Sequence, residues 1–217
     1  MLRNAHVLGA QAVSRFAARG RLVVAVAAMA GLAACSQWEV AYDEPVPADL
    51  SAKLRVVTVA VDVPATLRAS EANQFAPDAD IVWHGDLPGN RHAQVDAIVT
   101  NAARAAVRPM RGSKAARLNI VVNRFHGITP KTQYSAPSAV HNIAFTAQLT
   151  DARTGKPLTD PTLIRADLEA LVGKAAIAAQ SEGNTQKARV TSHIEAVLRG
   201  WLGVGPDIRG KFSGVGR

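Results

Sequence analysis

The sequence contains a single cysteine, Cys35, so the chain can form no internal disulfide and must be held together by burial of apolar side chains. Aromatic residues are also scarce, at 5% of the 217 residues. Aliphatic residues and alanine are abundant, which indicates a core of modest size rather than disorder. The length suits one domain preceded by a leader.

No run of basic residues is interleaved with aromatic ones, the pattern that marks a nucleic-acid surface. The formal net charge is +8, but four of these charges belong to arginines within residues 1–34, which contain no acid. The remaining excess is small for the length of the chain. We therefore expect no nucleic acid among the partners.

The first 34 residues have the composition of a secretory signal. Residues 1–21 carry only positive charge, and Leu22 to Cys35 then form an apolar or small-residue run of 14 residues. A membrane-spanning helix needs about 20 residues, so this run is too short to cross a bilayer. Arginines before an apolar segment that ends in small residues predict an exported protein with a signal peptide over residues 1–34.

Leu32-Ala33-Ala34-Cys35 resembles the lipobox of bacterial lipoproteins. The resemblance implies that the leader is removed and that Cys35 carries acyl chains such as palmitate, so that membrane lipid is a partner of the chain through Cys35. Ser36 and Gln37 follow without an aspartate, and their similarity to enterobacterial sorting signals implies the outer membrane, facing the periplasm. The alternatives are an ordinary signal peptide or an uncleaved anchor with an incidental cysteine.

Residues 35–53 combine the cysteine with a segment that contains prolines and acids and has no sustained periodicity. We interpret them as the lipidated cysteine and a tether to the domain. The alternative is a first strand through Trp38, Val40 and Tyr42, whose side chains alternate with polar ones.

The apolar spacing of the rest of the chain predicts four strands and two helices. These are the strands 54–63, 117–125, 140–150 and 162–170, and the helices 91–108 and 186–202. In the first strand, Val57, Val59, Val61 and Val63 are expected on one face. Pro161, near the start of the last strand, favours an edge position for it.

The order β-α-β-β-β-α predicts an α+β fold, a four-stranded mixed sheet with two helices packed on one face. The single domain would span residues 54–203, and the basic, glycine-rich residues 204–217 would form a flexible tail. This order is similar to that of auxiliary lipoproteins of envelope transport, including the lipopolysaccharide-assembly lipoprotein. Ser70-Glu71-Ala72-Asn73, Ala79–Trp83 and Gly89–Val95 resemble an uncharacterised family of proteobacterial lipoproteins, which implies no particular activity.

A helical crossover makes the first two of these strands parallel, so loops 64–90 and 126–139 are expected at one end of the domain, here called the loop pole. Long loops on a rigid scaffold commonly carry function. The candidate partner or ligand surface at this pole consists of Trp83, His84, Asp86, His92, His126, Tyr134 and His141. For Trp83 the alternative is a place in the core. The tether at residue 53 and the tail would enter at the opposite pole, so the loop pole would face away from the bilayer.

The sequence has no H-E-x-x-H or G-x-S-x-G motif, and the spacing of its histidines matches no compact set of metal ligands. We therefore expect no catalytic residues, no metal and no cofactor. The sequence favours a non-catalytic binding or accessory module of the cell envelope, whose partner is an envelope protein or a lipid-bearing molecule. The alternatives are a periplasmic sensor of a small ligand or metal, and an enzyme.

Overall fold

The computed structural model describes residues 37–213, which form a mixed α+β fold built mainly around one sheet. The strands of this part of the chain are β1 (Gln37–Ala41), β2 (Leu54–Asp62), β3 (Ala69–Ser70), β4 (Ile81–Val82), β5 (Lys114–His126), β6 (Ala139–Asp151), β7 (Thr162–Ala166), β8 (Leu168–Ala170) and β9 (Gly210–Ser213). The helices of the same part are α1 (Ala48–Lys53), α2 (Arg91–Ala106), α3 (Pro130–Ser135), α4 (Gly173–Ser181) and α5 (Gln186–Trp201).

The sheet has the strand order β3-β4-β5-β6-β7-β1-β9, with β2 paired to β5 and β8 paired to β6. The α+β class is confirmed, but the prediction of four strands is wrong, because residues 37–213 contain nine. β3 and β4 have two residues each and β9 has four. Segments this short carry no readable periodicity, because a strand shows its alternation only over about four residues or more.

The two longest strands, β5 and β6, form the centre of the sheet. They pair antiparallel from Ala116 and Asp151 at one end to His126 and Asn142 at the other. Their inward residues, such as Leu118 and Phe145, are fully buried, and the residues between them are partly or fully exposed. This alternation gives the sheet one core face, against which the helices pack, and one open face.

The pairing of β2 with β5 is parallel, as the crossover through α2 predicts. The shared face expected for the valines of β2 is only partly correct. The register shifts between Val56 and Thr58, and Val57 is 48% exposed, whereas Val59 and Val61 pack against the core. A β-bulge inserts one extra residue and moves the next side chains to the other face, which periodicity alone does not predict.

The two long helices begin and end close to their predicted bounds. Asn90 caps α2 by accepting the backbone N–H of Ala93, and Thr185 caps α5 by accepting that of Ala188. α2 and α5 contact each other, and their buried stripes include Ile98 and Trp201. Packing of these stripes on the inner residues of β5 and β6 forms the core.

The interpretation of residues 37–53 as a tether is wrong, because they contain β1 and α1. Val40, Tyr42 and Val46 are buried in the core, so the alternative of a first strand is the correct one. The prolines that suggested a linker lie between β1 and α1, where the chain turns. The folded part of the chain therefore begins well before residue 54.

The direction of β1 also changes the expected entry point of the chain. β1 runs antiparallel to β7, with Val40 opposite Ala166 and Ala41 opposite Arg165. Its first residues therefore lie toward the start of β6, at the loop pole. The chain descends β1, turns through α1 and returns along β2, so it does not enter at the opposite pole as predicted.

The expectation of a flexible tail is wrong for residues 204–213. Val204 and Ile208 pack against the core, and β9 joins the sheet. The Arg209 guanidinium donates to the carbonyls of Tyr42 and Asp43 at 3.3 and 2.7 Å. Residues 1–36, with the predicted signal peptide and Cys35, and residues 214–217 lie outside the described residues. Among residues 37–213, no helix is both long enough and apolar enough to cross a membrane.

The predicted strand 162–170 is interrupted by Asp167, which separates β7 from β8. The Asp167 carboxylate is buried and accepts three hydrogen bonds, from the backbone N–H groups of Glu39 (3.1 Å) and Ile143 (3.2 Å) and from the Asn142 amide (2.7 Å). It therefore joins β1 to β6 across the break. Because β1 pairs with β7, β7 is not the edge strand that Pro161 suggested.

Replacing Asp167 with alanine should lower the free energy of unfolding by about 2–4 kcal/mol, because one buried and two part-buried donors lose a charged acceptor. Chemical denaturation followed by far-UV circular dichroism measures this change. The matched control is Asp160→Ala, in the exposed turn before β7, which should unfold like the unmodified chain. An unfolding midpoint of the Asp167 variant equal to that of the control would contradict the bridging role.

Candidate functional site

Loop 64–90 is fastened to the start of α2 by a buried guanidinium. Arg91 is only 4% exposed, and its Nε and Nη2 donate to the Glu71 carboxylate at 2.5 and 2.6 Å. Its Nη1 donates to Gln94 Oε1 at 2.7 Å and to the Leu87 carbonyl at 3.3 Å. The hydrogen bond with Arg91 holds the pKa of Glu71 below its usual value and raises that of Arg91. Two separate parts of the loop are thereby tied to one side chain.

Two of the predicted histidines also fasten this region. His92 Nε2 lies 3.0 Å from the Leu67 carbonyl, and His126 Nε2 lies 3.0 Å from the Pro77 carbonyl. A carbonyl only accepts, so each Nε2 carries the proton in these contacts. The structure therefore places both histidines as loop anchors, away from the cavity described below.

Trp83 is a core residue, which decides between its two interpretations. Its ring is fully buried and packs edge-on against Phe125, with 5.4 Å between the ring centroids. A side chain at Gly85 would come within 2.4 Å of the Trp83 ring, so only glycine fits there. The Trp83 indole N–H donates to the Asp86 carboxylate at 2.7 Å, and the same carboxylate accepts from Lys187 Nζ at 2.6 Å.

A cavity of about 300 Å³ opens at the loop pole, between the end of β5, α3, α4 and the first turns of α5. We call it the loop-pole cavity. It is lined by His84, Gly85, Ile128, Pro130, Gln133, Tyr134, His141, Leu171, Ala176, Ala179, Gln180, Asn184, Thr185, Gln186, Lys187 and Arg189. A shallower depression adjoins it and shares His84, Gly85 and Pro130.

The wall of the cavity formed by α5 is cationic. Lys187 and Arg189 line it, and no aspartate or glutamate is among the lining residues. Asp86 lines the adjoining depression and is bonded to Lys187. Arg189 donates to the Glu169 carbonyl at 2.9 Å, and within residues 37–213 it has no carboxylate in salt-bridge range.

Two histidines of the cavity have buried ring nitrogens without hydrogen-bond partners. These atoms are Nε2 of His84 and both ring nitrogens of His141, which is 1% exposed. Burial, with Arg189 and His193 nearby, lowers the pKa of His141 to about 3, and burial and Arg91 lower the pKa of His84. Both imidazoles are therefore neutral near pH 7, and each offers one N–H and one lone pair.

The side chains that line the cavity provide hydrogen-bond donors and acceptors. No histidine within residues 37–213 hydrogen-bonds an aspartate or glutamate side chain, the pairing that general acid–base catalysis uses. In the same range, no group of three or more histidine, cysteine, aspartate and glutamate side chains is placed to hold a metal ion. The site offers cations, neutral imidazoles and a helix N-terminus beside an apolar wall.

The structure brings together only part of the predicted surface. His84, Asp86, Tyr134 and His141 line the loop-pole cavity or the depression beside it. His92, His126 and Trp83 lie elsewhere at the same pole.

Sequence reasoning missed the residues that complete this site, which are Glu71, Arg91, Lys187 and Arg189. Glu71 and Arg91 lie in the motifs Ser70–Asn73 and Gly89–Val95, so the resemblance already marked their positions without giving their role. The two cations of α5 carried no signal in the sequence, because a charged residue on a helix is ordinarily a solvated one.

Residues 54–217 match DUF6778, a family of unknown function. The chain belongs to this family. No curated protein matches the chain. The match begins at β2 and includes every residue of the loop-pole cavity.

Similar solved structures share low sequence identity with the chain. Protein XCC0632 from Xanthomonas campestris, of the DUF330 family, is 15% identical, with 74% of this chain and 87% of that one covered and a TM-score of 0.41. A minor lipoprotein from Acinetobacter baumannii is 10% identical, covering 70% and 94%, with a TM-score of 0.33. The PelC dodecamer from Paraburkholderia phytofirmans is 11% identical, covering 76% and 96%, with a TM-score of 0.34.

Replacing Arg91 with lysine should loosen loop 64–90, because an ammonium cannot hold both Glu71 oxygens and the loop carbonyls at once. We expect amide hydrogen exchange in this loop to become at least roughly tenfold faster while β5 and β6 stay protected. The matched control is Arg104→Lys, on an exposed position of the same helix, which should exchange like the unmodified chain. Unaltered exchange in loop 64–90 of the Arg91 variant would refute the fastening role.

Replacing His141 with leucine should make the free energy of unfolding depend less on pH below pH 7. The pKa of His141 is about 3 in the fold against 6.5 in the unfolded chain, so its contribution to stability is complete above pH 6.5 and is lost as the pH falls toward 3. Between pH 7 and pH 5 this loss amounts to about 2 kcal/mol. Urea unfolding at both pH values should show a pH difference smaller by that amount in the variant. Parallel profiles for the two proteins would show that His141 does not stay neutral in the fold.

Proposed function

We propose that this chain is a lipid-anchored protein of the cell envelope, without catalytic activity, whose loop-pole cavity is a ligand-binding site. The observation that carries the proposal is a set of three buried ring nitrogens without hydrogen-bond partners, one of His84 and two of His141, in a cavity with a cationic wall. Buried polar groups without partners destabilise a fold by about 1–3 kcal/mol each. A fold that keeps them beside a cavity is readily explained by a ligand that supplies the missing hydrogen bonds.

The anchor rests on the leader and on Cys35. The signal-like residues 1–34 end in a lipobox-like sequence, and two or more acyl chains on the cysteine would make the attachment effectively permanent. Ser36 and Gln37 favour the outer membrane, with the domain in the periplasm. The attachment would need no transmembrane helix.

The short chain between Cys35 and Trp38 sets the distance of the domain from the bilayer. Three residues span at most about 11 Å when fully extended. Register places Trp38 at the level of Leu168, which pairs with His141. The loop pole would therefore lie near the membrane, where its ligands would be molecules of the membrane surface or an envelope protein embedded in it.

An accessory role agrees with the chemistry of the cavity better than an enzymatic one. Its histidines are neutral, and among the described residues neither hydrogen-bonds a carboxylate, so they lack the bonded partner that would activate them as bases. The loops around the cavity are fastened by Arg91, His92 and His126, which preorganises the walls. A preformed polar cavity on an anchored domain is suited to holding a molecule for another envelope protein.

The anchor is tested by replacing Cys35 with serine in the native host. The variant should incorporate no labelled palmitate, and mass spectrometry should find its N-terminus without acyl chains. Ser36→Ala is the matched control, and it should be labelled and processed normally. If the chain without substitutions also has an intact, unacylated N-terminus, the lipoprotein proposal is refuted.

A further inference from the structure

The first turn of α5 forms part of the cavity wall. Thr185, Gln186 and Lys187 line the cavity at the end of the helix where backbone N–H groups point outward and the dipole is positive. Lys187 is held in place by Asp86, which is itself held by the Trp83 indole. Arg189 adds a second cation, bonded only to a carbonyl among the described residues. These features favour an anion.

An independent observation points to a bound group in the same place. Both ring nitrogens of the buried His141 lack partners, and His141 lines this cavity. Its position on the inner face of β6 puts it beneath the helix that carries Arg189. A neutral imidazole there donates one N–H, which an anionic oxygen accepts, and its lone pair accepts from a protonated oxygen or hydroxyl.

Part of the cavity wall is apolar. Ile128, Leu171, Ala176 and Ala179 form it, and Tyr134 and Ile177 are exposed nearby on α3 and α4. The volume of about 300 Å³ is at the lower end of the range for small-molecule sites. It leaves space for an organic part beside the anionic group.

We propose that the loop-pole cavity binds the phosphate group of an organic phosphate, held by Lys187, Arg189, the first turn of α5 and the imidazole of His141. A phosphate has enough oxygens to meet these donors together, which a carboxylate with two oxygens does not. Its organic part lies against the apolar wall. This inference rests on the proposed binding function and names the chemical class of its ligand. A phospholipid headgroup and a soluble phosphate ester share this chemistry.

The test measures binding of three probes to the full chain, purified from membranes in a non-ionic detergent. The probes are inorganic phosphate, glycerol 3-phosphate and dihexanoylphosphatidylglycerol below its micelle-forming concentration. Calorimetry gives the Kd, and the ³¹P resonance of each probe reports contact with its phosphate. Acetate at the same ionic strength is the competitor that separates phosphate from carboxylate binding.

Three variants locate the site. Arg189→Gln removes a cation, and His141→Leu removes both ring nitrogens without breaking a hydrogen bond, so this variant should fold. Each of these two substitutions in the cavity should raise the Kd of the bound probe at least tenfold. Lys156→Met, at an exposed turn after β6, is the matched control and should bind like the unmodified chain.

The outcomes are distinct. Binding that is weakened in both cavity variants supports the proposal. If the short-chain lipid then binds more tightly than glycerol 3-phosphate, the ligand is a phospholipid headgroup. If the two bind equally, the ligand is a soluble phosphate ester. No binding of any probe, an unchanged Kd in both cavity variants, or equal competition by acetate overturns it. Palmitate labelling is a separate measurement, so an anchored chain that binds no phosphate keeps its anchor and loses only this ligand.

Discussion

The loop pole depends on the burial of one positive charge. A guanidinium removed from water destabilises a fold unless its donors are met, and Arg91 meets them with the Glu71 carboxylate, Gln94 and loop carbonyls. Because the partners come from both ends of loop 64–90, the loop has one arrangement that satisfies the charge. That arrangement fixes the segment that carries Trp83 and Asp86, and so positions Lys187 at the cavity.

The fold satisfies some buried polar groups fully and leaves others without hydrogen-bond partners. Asp167 shows how thoroughly the fold meets a buried polar group, with three donors on one carboxylate. Among the buried side-chain atoms of residues 37–213 that lack a partner, half belong to His84 and His141. The same chain that satisfies a carboxylate between strands leaves imidazole nitrogens unmet beside a cavity, which is the arrangement expected of a site that a ligand completes.

The path of the first strand bears on the proposed anchor. β1 is bonded into the sheet from the loop pole downward, and Tyr42 and Val46 then secure the turn at the other end, where Val46 donates to the Trp201 carbonyl at 2.7 Å. A domain held by a long tether could face any direction. If Cys35 carries the proposed anchor, the sheet begins within a few residues of it, and the domain would have far less freedom than on a long tether.

Local sequence determined the two long helices and the central strands, and the prediction of a leader rests on the same kind of local pattern. Signal composition, capping residues such as Asn90 and the alternation through Leu118 act over a few neighbouring residues, and a single sequence displays them. Tertiary structure alone decided the bulge at Val57, the place of β1, the burial of Trp83 and the meeting of Arg189 with His141. Each of these depends on partners distant in the chain, and their contacts arise from strand pairing and helix packing that no local pattern encodes.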